Sequence, residues 1–429
     1  MKEKLQLAVK SEFVKKLGIL LASGSVAQLI PVALSFFISR NFTADSLAVY
    51  GLYFSIVSIV AVLATGKFEA ALLVPKSLKE AGHLYVLGVI SVVVVSTVTA
   101  VLSFFFDHEI AELLGNQGLV DIFWLIPVAI AIVGFYQLNS YMYIRFGKIK
   151  GLAMQKLSQR GAEGVSILIT GYRSISNGLI FSDIIGRAGL LIISGLAVKP
   201  YFIHHTKITW QGLKSGFKNY KKYPISFAPS SVANALSMHL ALFVISANYS
   251  EDLTGQFNFV RFVLSLPITF LGQSLSQVLL ERFSAKARNR ISIKADVLKL
   301  TGVLSLLALG FTLPILFFGE NLFEYFFGQD WSVAGQFAQV MVCSLSLRFI
   351  VSPLSATFNA IDKIKPVATW QWGYFILTIS LIPLGKIIED ASSFIFVYAV
   401  LDTLAYTVYW IMIYSSVNKF DQEIANEVL

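Results

Sequence analysis

The chain has little charge and almost no cysteine for its length. Only 14% of its 429 residues are Asp, Glu, Lys or Arg, and the mean hydropathy is +0.70. This composition is too apolar for a soluble domain of that size. The one cysteine, Cys343, lies inside an apolar run, which excludes a disulfide framework and a thiolate metal site.

Catalytic and metal-binding signatures are missing as well. The adjacent histidines His204 and His205 lack the i, i+4 spacing and the third ligand of a metal site. No GxSxG, P-loop or HExxH sequence is present. The segment Asp107-His108-Glu109 is more typical of a solvated turn than of a catalytic centre. We therefore expect a protein that is not an enzyme, holds no cofactor or metal, and does not hydrolyse ATP.

The sequence does have a series of long apolar runs. A membrane-spanning helix needs about 20 apolar residues. Twelve runs are candidates: 17–39, 46–66, 84–106, 122–144, 152–172, 178–198, 225–249, 254–280, 300–319, 332–361, 366–386 and 391–416. The fifth is the least apolar, because its first half carries Lys156, Arg160 and Glu163. The expected fold is therefore all-α, a polytopic membrane protein with about twelve transmembrane helices.

Basic residues follow an alternating pattern along the chain. Of the 34 Lys and Arg residues, 28 lie at the two ends of the chain, in every second gap between the apolar runs, or in the adjoining first half of the fifth run. The intervening gaps hold only Arg40, Arg173 and Lys386, together with twelve acidic residues. This is the positive-inside pattern, and it predicts that both termini lie in the cytoplasm. The net charge of +9 then reflects loops that face anionic membrane lipids, and nucleic acid is not an expected partner.

The two halves of the chain resemble each other. Residues 38–42, ending the first run, are similar to residues 245–249, ending the seventh. Residues 148–153, after the fourth run, are similar to residues 363–368, after the tenth. Both offsets correspond to six runs, so the two copies have the same orientation in the membrane. Parallel repeats of this kind occur in transporters.

A long basic gap, 199–223, lies between the halves. We place the N-terminal lobe at 1–210 and the C-terminal lobe at 211–429, with six spans in each. Within the gap, Trp210–Tyr220 has an amphipathic pattern. This pattern predicts a helix on the inner surface of the membrane.

Three arginines lie inside apolar runs: Arg187, Arg261 and Arg348. A charge at the bilayer centre costs about 2.5–3.5 kcal/mol, so it faces a wet interior or a partner. One interpretation is a cationic cavity that binds an anionic substrate group, because Arg binds phosphate bidentately. The alternative is structural: Arg187 pairs with Asp183, four residues earlier, and Arg261 extends toward the membrane surface. Asp402, a lone acid in the last run, is a candidate partner for any of the three.

Four further charged residues are candidates for a gate or for ion pairs. Lys67 and Glu69 follow the second run, where they are either interfacial charges or part of a cytoplasmic gate. Arg160 and Glu163 share one face of the fifth run, and the same two interpretations apply to them.

Five segments carry short motifs that a known family shares: 66–76, 138–145, 220–224, 255–278 and 326–335, the last leading into 348–355. In these segments the chain resembles Wzx-type polysaccharide (O-antigen) flippases. This family belongs to the multidrug/oligosaccharidyl-lipid/polysaccharide (MOP) exporter superfamily. Each motif is short, but their order and spacing are typical of the family over roughly residues 20–370.

The resemblance implies a fold and a function. The fold would be two pseudo-symmetric six-helix lobes around a central cavity. The protein would carry an undecaprenyl-diphosphate-linked oligosaccharide, for O-antigen, capsule or a related glycan, across the bacterial inner membrane by alternating access. Arg261 and Arg348 would then be cavity cations near the diphosphate. The polymerase and chain-length proteins of the same pathway would be possible partners.

Three alternatives stay open at this point. A multidrug or other small-molecule exporter of the same fold would prefer acids in its cavity, whereas this sequence has more buried Arg than Asp or Glu. A membrane glycosyltransferase or polymerase would need a large outer loop with catalytic acids, and the outer loops here are short. A non-transporting assembly subunit is the third alternative.

Overall fold

The computed structural model describes residues 30–205, 208–363 and 365–428. Throughout these ranges the regular elements are helices, and no strand occurs among them. The predicted all-α fold is therefore confirmed. Most of the first predicted span, 17–39, and the basic residues before it lie outside the described residues. Its last part belongs to a helix at 30–41.

Seventeen helices follow one another along the described chain. In the first half they are α1 (30–41), α2 (Ala44–Ala64), α3 (Phe68–Ala71), α4 (Leu78–Phe105), α5 (Asp107–Leu113), α6 (Leu125–Arg145), α7 (Ile149–Tyr172), α8 (Gly178–His205) and α9 (Trp210–Tyr220). In the second half they are α10 (Ala228–Asn248), α11 (Glu251–Arg288), α12 (Lys294–Phe327), α13 (Ser332–Leu354), α14 (Ala356–Ala360), α15 (Lys365–Ile379), α16 (Leu381–Ile387) and α17 (Ala391–Val428).

Eight helical segments of the described chain are long and apolar enough to cross a membrane. They match eight of the twelve predicted spans. The other four spans fall on α1, α7, α8 and α11, which are helical but are not among the eight. The least apolar span, 152–172, belongs to one continuous helix, α7. The chain is therefore a multi-pass membrane protein.

The chain divides into two compact units. Unit 1 contains Val49–Leu236 together with the chain up to Phe42, and unit 2 contains Ser237–Leu429 together with Thr43–Ala48. In unit 1, α4 packs on α6 and α7 packs on α8; in unit 2, α13 packs on α11, α12 and α17. The predicted lobe boundaries at residues 210 and 211 stay a prediction.

Helices α12 and α13 of unit 2 approach each other closely at a glycine. A Cβ at Gly335 would lie 2.5 Å from the Glu320 Cα atom, so only glycine fits there. Large aromatic side chains fill the space beside this contact: the Phe259 ring lies 4.2 Å from the Trp331 ring, centroid to centroid. This packing fixes the positions of α11, α12 and α13; Arg261 lies on α11 and Arg348 lies on α13.

The loop between α3 and α4 is held by Arg145, at the end of α6. Its Nη1 atom donates to the Leu72 carbonyl at 2.6 Å, and its Nη2 atom donates to the Pro75 carbonyl at 2.7 Å. These carbonyls have no helical partner, so the guanidinium satisfies them. Arg145 therefore stabilises the loop between α3 and α4.

The start of α12 is capped from a distant part of the chain. The Asp421 side chain, on α17, accepts hydrogen bonds from the Ser292 hydroxyl and from the backbone N–H groups of Ile293 and Lys294, the last two at 3.2 and 3.3 Å. No side chain at the helix's own N-cap position supplies this bond. A carboxylate at this place satisfies orphan donors and complements the helix dipole.

Candidate functional site

The first group of buried charges lies in unit 1, on α8 and its neighbours. Asp183 and Arg187 are one helical turn apart, and the Asp183 Oδ1 atom lies 2.7 Å from the Arg187 Nε atom. The Tyr53 hydroxyl, on α2, donates to the other carboxylate oxygen at 3.2 Å. Asp183 is buried, and the guanidinium also lies over the Phe54 ring, 5.8 Å from its centroid. Both oxygens of this carboxylate therefore have partners.

A second pair stands beside it on α7. The Arg160 Nη1 atom lies 2.8 Å from the Glu163 Oε2 atom, and Glu163 is buried. Helix α8 comes close at Gly186, where a Cβ would lie 2.8 Å from the Glu163 Cβ atom. We call Arg160, Glu163, Asp183 and Arg187 the unit 1 cluster. Its formal charges sum to zero.

In unit 2, Arg348 and Asp402 form an ion pair between α13 and α17. The Arg348 Nη2 atom lies 2.9 Å from the Asp402 Oδ1 atom. The Tyr374 hydroxyl, on α15, donates to the same oxygen at 2.7 Å and lies 3.2 Å from the Arg348 Nη2 atom. The guanidinium also lies over the Tyr406 ring, 4.9 Å from its centroid. Only 1% of the Asp402 side chain is exposed.

One oxygen of this buried carboxylate is unused. The Asp402 Oδ2 atom has no hydrogen-bond partner in the described residues. Asp402 lines a small cavity together with Tyr374, Thr378 and Tyr398, and the space is sufficient for about one water molecule. Arg348 therefore contacts Asp402 through one oxygen, without the two parallel bonds that Arg can make to a carboxylate.

Arg261, on α11, is in a different situation. Its Nη2 atom donates to the Met238 carbonyl at 2.7 Å, and its guanidinium lies over the Phe257 ring, 5.7 Å from the centroid. Among the described residues, no carboxylate lies within 4 Å of it in an ion pair. The Phe257 ring lies 6.0 Å, centroid to centroid, from the ring of Tyr398, which lines the same cavity as Asp402. We call Arg261, Arg348 and Asp402 the unit 2 cluster, which carries a formal charge of +1.

Lys67 and Glu69 form a separate local arrangement after α2. Gly66 and Lys67 both have left-handed backbone angles, with φ of 58° and 59°, and the chain turns there. Glu69 is buried and accepts a hydrogen bond from the Thr65 hydroxyl. The Lys67 Nζ atom lies 3.9 Å from the Glu69 Oε1 atom. These contacts stabilise a tight turn, and a gating role for the two residues stays a prediction.

Sequence reasoning missed the tyrosines of both clusters. Tyr53 and Tyr374 donate to the two buried aspartates, and Tyr406 contacts Arg348 through its ring. The chain has 17 Tyr residues, and no spacing distinguishes these three from the others. Their role depends on which helices pack together, which no local pattern encodes.

A family profile described as "Polysaccharide biosynthesis protein" matches residues 37–336. The chain belongs to this polysaccharide biosynthesis family. No curated protein matches it significantly in sequence. The predicted relation to polysaccharide biosynthesis is therefore confirmed, and the solved structures described next confirm the fold class.

Solved structures of MOP transporters share the fold of this polysaccharide biosynthesis family member. An inward-facing multidrug resistance MATE family transporter has a TM-score of 0.73 at 12% identity, over 95% of this chain and 99% of that one. The lipid II flippase MurJ, in an inward closed conformation, has a TM-score of 0.73 at 15% identity, over 94% and 89% of the two chains. The MATE multidrug transporter DinF-BH has a TM-score of 0.66 at 15% identity, over 95% and 96%. At such identities the similarity establishes the fold and leaves the substrate open.

Proposed function

We propose that this protein is a flippase that moves an undecaprenyl-diphosphate-linked oligosaccharide across the bacterial inner membrane by alternating access. The glycan would be an O-antigen, a capsule unit or a related repeat. Membership of the polysaccharide biosynthesis family supports a glycan, and the similarity to a lipid II flippase supports a lipid-linked one. In this proposal the protein lies in the membrane with both termini in the cytoplasm and works beside the polymerase and chain-length proteins of its pathway.

The observation that carries the proposal is the state of Arg261. It is a guanidinium on an apolar helix, held by a backbone carbonyl and an aromatic ring instead of a carboxylate. A half-buried cation inside a membrane helix, with no acid in ion-pair distance among the described residues, is costly and is kept where it has a function. A diphosphate would supply the missing negative charge, and the planar guanidinium fork fits two phosphate oxygens.

Arg348 would act after Arg261. Its present partner, Asp402, is held through one oxygen only, and Tyr374 shares that oxygen. A phosphate of the substrate would compete with Asp402 for the guanidinium. Tyr374 would keep the released carboxylate hydrogen-bonded, which lowers the free energy of the exchange. Arg348 would thus bind the substrate only when a substrate phosphate displaces the Asp402 carboxylate.

The unit 1 cluster would have a different role. Its four charges are paired within the cluster, so it offers no free cation to an anionic substrate. Arg187 would then position α8 through Asp183. The pair of Arg160 and Glu163 would respond to movement between α7 and α8, as a gate element would.

A multidrug exporter is the second candidate function, because MATE transporters share this fold at equal TM-score. The charge of the unit 2 cluster distinguishes the two. A cationic drug next to an unpaired arginine is electrostatically disfavoured, whereas an anionic headgroup is favoured. We therefore place the lipid-linked glycan first.

Arg261→Ala should strongly reduce glycan display in a strain that lacks its own flippase. Loss of a charge-assisted hydrogen bond corresponds to about 1.5–3 kcal/mol, or roughly a tenfold to hundredfold loss of transport. Arg261→Lys should restore only part of it, because an ammonium lacks the planar fork. The measurement is surface glycan in complementation, normalised to the amount of protein in the membrane.

Arg288→Ala is the matched control, since Arg288 is an exposed arginine in the last turn of the same helix. It should leave glycan display unchanged. Normal display with Arg261→Ala, at equal protein level, would remove the anion-binding proposal. Export of cationic dyes that survives Arg261→Ala, without any effect on glycan, would favour the multidrug function instead.

A further inference from the structure

Helix α9, Trp210–Tyr220, is tied to the beginning of α4 within unit 1. The Thr209 N–H donates to the His83 Nε2 atom at 3.3 Å, and the Tyr220 hydroxyl donates to the Glu80 Oε1 atom at 3.2 Å. Gly212 lies so close to the imidazole that a Cβ there would stand 2.2 Å from the Nε2 atom. These contacts fix which side of α9 faces α4, and therefore which sides face outward.

An outward edge of α9 is aromatic. Trp210 is 78% exposed and Phe217 is 47% exposed. The two residues are seven positions apart, so they lie almost directly above one another on the helix. The neighbouring Leu213 is turned inward and is buried. A tryptophan and a phenylalanine on one exposed edge, beside a packed face, are typical of a helix that lies at the membrane interface.

The edge next to the aromatic one is basic. Lys214, Lys218 and Lys221 follow each other at spacings of four and three residues and are all exposed. No Asp or Glu occurs in the chain between Asp183 and Glu251, so no acid in this segment neutralises them. Lysines in this position extend their apolar stems along the membrane and their ammonium groups toward headgroups.

We propose that α9 is a binding site for anionic phospholipid headgroups, with Trp210 and Phe217 in the acyl boundary and Lys214, Lys218 and Lys221 on the headgroups. A soluble polyanion would satisfy the lysines but would leave the aromatic edge in water, whereas an anionic lipid satisfies both. The contacts of α9 to α4 transmit this attachment to the start of a membrane helix. The site is independent of what the protein transports.

The fluorescence of Trp210 tests this site directly. The full-length protein is placed in nanodiscs that contain phosphatidylcholine with a fixed fraction of brominated phosphatidylglycerol, or the same fraction of brominated phosphatidylcholine. The chain has six Trp residues, and the difference between the parent protein and Trp210→Phe isolates one of them. We expect this difference signal to be quenched by both lipids and more strongly by phosphatidylglycerol.

A triple variant separates the lysines from the aromatic edge. Lys214→Gln, Lys218→Gln and Lys221→Gln together should remove the preference for phosphatidylglycerol and keep the quenching by phosphatidylcholine. Each lysine near an anionic surface contributes roughly a fivefold enrichment of the anionic lipid. The matched control removes three exposed cations elsewhere, Arg288→Gln, Lys299→Gln and Lys419→Gln, and should retain the preference.

Three outcomes would overturn the proposal. The first is a Trp210 signal that neither brominated lipid quenches, which would favour a partner protein on this edge. The second is equal quenching by the two lipids in the parent protein. The third is an equal loss of the phosphatidylglycerol preference in the triple variant and in its control. That result would show that the net charge of the protein, and not α9, causes the preference. Thermal unfolding of each variant verifies that the fold is unchanged, and exposed Lys→Gln changes should leave it so.

Discussion

In unit 1 the buried Asp183 pairs with Arg187, one helical turn away, whereas in unit 2 Asp402 pairs with Arg348 on another helix, 54 residues away. The first pair forms as soon as α8 does. The second forms only when α13 and α17 are packed together. An Asp–Arg ion pair thus has a local role in unit 1, where both residues lie on one helix. It has a tertiary role in unit 2, where it joins two helices.

The second difference between the units is charge. Every charge of the unit 1 cluster has a partner within it. The unit 2 cluster has two arginines for one carboxylate, and within the described chain Arg261 is the one that has no acid in ion-pair distance. An even charge balance is typical of a structural arrangement, whereas a surplus of one sign requires a counter-ion from elsewhere. This surplus supports the proposal that an anionic substrate binds in unit 2.

The largest effect on stability should come from Asp402→Ala. The Arg348 guanidinium would then keep the Tyr374 hydroxyl and the Tyr406 ring as contacts but would lose its counter-ion. Breaking a buried ion pair on one side costs about 3–5 kcal/mol. The measurement is the free energy of unfolding of the purified protein in detergent. Combining Arg348→Met with Asp402→Leu should restore most of the stability but not the transport, because it removes both charges.

Glu423→Ala provides the control for this experiment. Glu423 pairs with Lys363 at 2.9 Å in unit 2, but both side chains are substantially exposed. Such a pair contributes less than about 1 kcal/mol. An Asp402→Ala protein as stable as the Glu423→Ala protein would contradict the tertiary role of the Arg348–Asp402 pair.

A smaller loss should follow Asp183→Ala in unit 1. The Arg187 side chain is 18% exposed, so its charge can reach polar surroundings once the carboxylate is gone. We expect a loss of about 1–3 kcal/mol, which is the range for a buried hydrogen-bonding group left without its partner. Measuring Asp183→Ala and Asp402→Ala in one unfolding assay tests the difference between the units. Equal losses of unfolding free energy would contradict that difference.

Arg261→Ala should change the stability least of the three substitutions, and any change should be an increase. Arg261 is half-buried and has no acid in ion-pair distance among the described residues, so its removal relieves part of a desolvation cost. The protein should therefore unfold at the same temperature or a higher one while transport is lost, which is the usual trade-off at a functional site. A drop in stability like that of Asp402→Ala would instead assign Arg261 a structural role. Thermal unfolding of Arg261→Ala and Arg288→Ala side by side makes the measurement.

The sequence could predict the helices and the local pair but not the tertiary one. Apolar run length is a local property, so eight predicted spans coincide with the apolar helices. The spacing of Asp183 and Arg187 is also local, and i, i+4 residues meet on any helix. Asp402 had three candidate partners because the choice depends on helix packing. Tyr374 and Tyr53 were missed for the same reason.

The cap on α12 has a consequence for the order in which the protein is made. Asp421 lies 127 residues after Lys294, so α12, α13, α15 and most of α17 are synthesised and inserted while the beginning of α12 still lacks its cap. The N–H groups of Ile293 and Lys294 must be solvated by water during that time. Closing such a distant contact is entropically unfavourable before the intervening helices have packed. Assembly of unit 2 is therefore expected to finish at the beginning of α12, after α17 has left the ribosome.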